Sequence, residues 1–348
     1  MSDIVGFLVG VRNKTASWAP LVLGLIGLLP TPARAAQDSR ELPSNVKLLA
    51  AMPTAVESVG IVRLAEIVGR DTLLEASFEH WLSPSEPGPD DGFEGWLMPH
   101  VVEDGVAVLA YAASDFVAPT GIGAARSNLR TILIASGSFE TTLAAFSRDP
   151  PEGTSALWPE ECPGVCALVA DIVERAGSMG VEHPARLFVA FLDSRIVVSS
   201  RSEEDLATMV RGLQSSEAAV PEEWRPLAEQ AALESSILIL RRLLPPMEET
   251  GSSVERTAAV EDLSFAAWIE DHDEPSFEVA VETILPVAAA RKYFCRWAFE
   301  TGPGPECGPE WERRGDVFVG ETAPLEPEAG HYYVDLLFLF MFGLWLAI

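Results

Sequence analysis

Residues 263–269 and 277–284 constrain the fold more than any other part of the chain. Both segments place apolar residues at every second position, and the acidic run Glu270-Asp271-His272-Asp273-Glu274 ending in Pro275 lies between them. Leu263, Phe265, Ala267 and Ile269 then share one face of a strand, as do Phe277, Val279 and Val281, while Glu278 and Glu282 fall on the other face. A helix would scatter these residues around its circumference; a β-hairpin collects them. Neighbouring strands joined this tightly are antiparallel, which argues against a doubly wound parallel sheet.

Elsewhere the same ingredients recur. Residues 46–52 read as a strand and 61–82 as a helix carrying Leu64, Ile67, Val68, Leu73 and Leu74 on its apolar side. Strands are expected over 105–111 and 129–135, and Ser138 is expected to cap a helix bearing Phe139, Leu143 and Phe146. Residues 187–192 and 196–199 form a hairpin around Asp193-Ser194-Arg195. Ser202 with Asp205 three residues on then opens a helix whose buried stripe is Leu206, Met209, Val210 and Leu213. A strand follows at 237–240, a helix from Pro286 through Tyr293, Phe294 and Trp297, and a short strand at 316–320. The expected class is α+β: two pseudo-repeated lobes of antiparallel sheet with helices on one face, with one continuous long sheet as the alternative. The expected division is a first lobe over 36–150, a Pro/Gly/Cys-containing insertion over 151–184, a second lobe over 185–330 and a hydrophobic tail over 331–348.

Charge restricts what such a chain binds. Of its 348 residues, 24 are Lys or Arg and 52 are Asp or Glu, for a formal net charge of −28. No basic patch large enough to neutralise a run of phosphates can be assembled, so nucleic acid is excluded as a partner. The same field repels anionic lipid surfaces and polyanionic substrates.

Residues 1–35 have the order of a secretory signal. Arg12 and Lys14 precede an apolar core at 18–29, Pro30 and Pro32 break it, and Ala33-Arg34-Ala35 offers a small–x–small cleavage site before Ala36. Export to the periplasm, cell envelope or exterior is the expectation. At the other end, 336–348 contains no polar side chain. As a helix it reaches only ~20 Å against a hydrocarbon core of ~30 Å. A membrane tether, a buried terminal element and a docking tail for a hydrophobic protein partner are all compatible with it.

An even number of cysteines in an exported chain points to disulfides. Proximity suggests Cys162–Cys166 and Cys295–Cys307. Spacings of three and eleven intervening residues do not make zinc knuckles, and the first pair is one residue too long for a redox Cys-x-x-Cys.

The run from Ile132 to Phe139, the run from Phe188 to Val198 followed by Ser202-Glu203-Glu204-Asp205-Leu206, and Leu42-Pro43-Ser44-Asn45 before an expected strand resemble a pattern found in uncharacterised exported proteins of Gram-negative bacteria. The resemblance implies architecture and export; no activity travels with it.

Catalytic signatures are sparse. Gly121-Ile122-Gly123 lacks the third glycine and the following helix of a dinucleotide fingerprint. No nucleophile elbow exists, and the five histidines, His80, His100, His183, His272 and His331, are scattered. Asp271, Asp273 and Glu274 are the weak candidates for a metal, as oxygen ligands for Ca²⁺, although the same cluster suits a solvated hairpin tip. Trp158, Trp224, Trp268, Trp297 and Trp311 either line a groove or pack a core. The sequence therefore leans away from an enzyme and towards an exported acidic cell-envelope protein with a binding or structural role. A hydrolase built from carboxylates distant in sequence and a calcium-dependent binding module are the alternatives.

Overall fold

A computed structural model describes residues 42–53, 56, 58–67, 106–114, 130–148, 153–157, 165–176, 181–243, 263–270, 276–282 and 310–324. Among the described residues twelve strands run β1 (Ser58–Val62), β2 (Val106–Ser114), β3 (Arg130–Gly137), β4 (Thr154–Leu157), β5 (Val165–Ala176), β6 (Val181–Leu192), β7 (Ile196–Ser200), β8 (Ile237–Leu243), β9 (Leu263–Glu270), β10 (Ser276–Glu282), β11 (Glu310–Arg314) and β12 (Val317–Pro324). The described helices are α1 (Asn45–Ala51), α2 (Leu64–Ile67), α3 (Glu140–Arg148), α4 (Glu203–Gln214) and α5 (Arg225–Ala228). The sheet order is β11-β12-β10-β9-β8-β1-β2-β3-β7-β6-β5-β4, and every pairing whose register is described is antiparallel. A large antiparallel sheet with few helices is the observed architecture, within the α+β class.

The chain forms two compact units. One comprises Met1–Leu42, Glu79–Leu109 and Phe116–Val210; the other comprises Pro43–Phe78, Ala110–Asp115 and Arg211–Ile348. The stretch 151–184 contributes β4, β5 and the start of β6.

In the first unit, β5 and β6 form the longest hairpin, paired continuously from Val165↔Leu192 to Ala176↔Val181. The β6–β7 turn places Asp193 at φ 51°, a conformation that a short polar side chain tolerates. The turn also anchors the end of β3: the Gly137 amide donates to Arg195 O at 2.9 Å and the Phe139 amide to Ser194 O at 2.6 Å. Phe139, fully buried, then leads into α3. At α4 the Ser202 hydroxyl accepts from the Asp205 amide at 3.3 Å, as the capping pattern predicts. Leu206, Met209, Val210 and Leu213 are all buried.

In the second unit, the β9–β10 register is the one that the alternation demands: Phe265↔Val281, Ala267↔Val279 and Ile269↔Phe277. β8 pairs β9 on one side and β1 on the other, with Ile239 opposite both Ala267 and Gly60. Strand β1 is buried at all five positions, and Ser235 through Arg241 are buried without a break. Central strands covered on both faces carry continuous apolar runs such as Ile237-Leu238-Ile239-Leu240, and not strict alternation.

Two local expectations are corrected. Residues 46–51 are helical and only Met52, the C-cap, is extended: Ser44 caps α1, its hydroxyl accepting from the Lys47 amide at 3.2 Å, so Leu42-Pro43-Ser44-Asn45 leads into a helix. The helix expected from Ile61 does not start there, because Ile61 and Val62 complete β1 against Leu238 and Ile237. Only Leu64–Ile67 is helical within the described part of 61–82.

Helix α4 approaches α1 closely at Gly212. A Cβ built there would lie 2.7 Å from Ala51 Cα, which is backbone and cannot swing aside. Gly→Ala in a helix ordinarily gains about 1 kcal/mol. Here Gly212→Ala is expected to cost about 1–3 kcal/mol, because overpacking outweighs propensity. Urea denaturation measures the sign; a variant at least as stable as the parent would show that the two helices have room to part.

Candidate functional site

The densest described polar cluster surrounds Arg63, the residue between β1 and α2. Its side chain is buried, and its Nε donates to Glu66 Oε1 at 2.5 Å. Nη1 donates to the Pro43 carbonyl at 3.2 Å and to Asn45 Oδ1 at 3.1 Å. Asn45, fully buried, passes the chain on: its Nδ2 donates to Ser235 O at 3.0 Å. The Ser236 hydroxyl donates to the second Glu66 carboxylate oxygen at 3.3 Å, and the Arg63 amide donates to Ser236 O at 2.8 Å. The network thus ties the start of α1, the end of β1, the first residues of α2 and the entry to β8.

Chemically this network is a clasp. Both Glu66 oxygens accept protein donors, and the Arg63 donors named here are met by fixed acceptors, so the cluster stands satisfied within the fold. Sequence reasoning missed it. The signal available was a single arginine inside the apolar run Ile61-Val62-Arg63-Leu64, but its partner Asn45 and the Ser235 carbonyl that Asn45 reaches are separated by 190 positions.

A second cluster is aromatic. Trp224, buried at the end of a 3₁₀ turn (Glu222–Trp224), lies under the guanidinium of Arg242, 5.2 Å from the ring centroid. Helix α5 follows directly and packs on β9 and β10. Trp268 of β9 is 2% exposed, and its Nε1 has no hydrogen-bond partner among the described residues. Of the tryptophans named above as groove or core residues, Trp224 and Trp268 are thus core; Trp158 and Trp297 lie outside the described residues, and Trp311 is placed by its backbone on β11.

Most sequence-derived candidates lie outside the described residues. Asp271, Asp273 and Glu274 occupy the connection between β9 and β10, whose flanks Glu270 and Ser276 are register partners. Cys162, Cys295 and Cys307, the glycines at 121 and 123, the 286–297 segment, residues 1–35 and residues 331–348 are likewise outside. Cys166 is described: it lies near the start of β5 opposite Phe191, half-buried, and is joined to no other described cysteine. Burial pushes its thiol pKa up, which disfavours the thiolate needed of a nucleophile or a metal ligand. Among the described residues no group of three or more His, Cys, Asp or Glu is positioned to hold a metal ion, and no helix is long and apolar enough to cross a membrane.

No protein-family model matches the chain, and no curated protein matches it significantly. Among solved structures, crystal form III of TP0453 is similar over 85% of this chain and 99% of that chain, at 9% identity and a TM-score of 0.43. Crystal form IV of TP0453 aligns over 82% and 96% respectively, at 9% identity and a TM-score of 0.42. Likeness at this level establishes no kinship of function.

Proposed function

We propose that the chain is an exported, acidic cell-envelope protein with a binding or structural role, held to a membrane or a hydrophobic partner by its C-terminal tail. The observation that carries this reading is the N-terminal order of positive residues, apolar core, prolines and Ala33-Arg34-Ala35. The resemblance of three segments to exported Gram-negative proteins agrees with it. So does the chemistry of the Arg63 cluster, whose polar groups serve the fold. Disulfides Cys162–Cys166 and Cys295–Cys307 belong to the same proposal, since an oxidising compartment would favour them. The finer architecture, two pseudo-repeated lobes with helices on one face, is part of it too. Its support is the recurrence of one step, a strand followed by a serine just before a helix, with Ser138 between β3 and α3 and Ser202 between β7 and α4.

Deleting 335–348 tests the tail. Apolar side chains of this size are worth about 1.5–3 kcal/mol each when fully buried, so a solvated tail is untenable. The expected result is that full-length protein partitions with membranes, whereas the truncation becomes soluble and melts at an unchanged temperature. If both forms are equally soluble and the truncation melts earlier, the tail belongs to the core and the tether is wrong.

A further inference from the structure

We draw no further inference here: the strongest candidate, the outer edge of the terminal strand β4 with Ser155 and Ala156 exposed, carries nothing because nothing in the structure shows what covers it.

Discussion

Replacing Arg63 with alanine is expected to lower the free energy of unfolding by about 3 kcal/mol, measured by urea denaturation. The size follows from what the guanidinium leaves behind. Asn45 Oδ1, on a fully buried side chain, loses a donor at about 1–3 kcal/mol, and the half-buried Pro43 carbonyl loses one at a smaller cost because water reaches it. The ion pair itself is the smaller part: the Glu66 side chain is 32% exposed, so water screens its charge. Glu66→Gln should therefore cost only about 1 kcal/mol, since an amide oxygen still accepts from Arg63. Equal losses from the two variants would mean that the charge, and not the hydrogen-bond accounting of Asn45, holds this corner together.

A comparable loss is expected at Trp224. Truncation to alanine removes a fully buried indole beneath Arg242 and beside the start of α5, and large aromatic truncations cost about 3–5 kcal/mol. Arg242, half-buried on β8, contributes through the ring face, for which about 1 kcal/mol is a reasonable share. A double-mutant cycle of Trp224→Ala with Arg242→Ala isolates that share. Coupling near zero would make the stacked geometry incidental; a Trp224→Ala loss under about 1 kcal/mol would show that the site collapses around the gap.

The elements that the sequence announced share one property: their patterns are local. The β9–β10 hairpin was legible because alternation and breakers lie within 22 residues, and its register pairs the very residues placed on one face. The α4 stripe and its Ser202 cap were legible for the same reason. Strand β11 was not. Glu-Trp-Glu-Arg-Arg looks like a solvated turn, and only its place at the sheet edge makes charge there sensible. Helix α1 is ambiguous in the sequence because Val46, Leu48 and Leu49 suggest a strand, although Lys, Leu and Ala are good helix formers and Ser44 is a good cap. The outer half of β5 and the start of β6 were hidden by Pro184 and the Gly177-Ser178-Met179-Gly180 connection, which read as breakers although Pro184 stands opposite Val173 in the β5–β6 register. The Arg63 clasp was illegible for a different reason: it joins residues far apart in sequence, and no local pattern encodes such a meeting.

Export is the claim on which the functional account turns, and the mature N-terminus tests it most directly. Protein recovered from the envelope fraction of cells expressing the full chain, sequenced from its N-terminus, should begin at Ala36, following cleavage after Ala33-Arg34-Ala35. An intact Met1 on protein recovered from the cytoplasm would contradict the account.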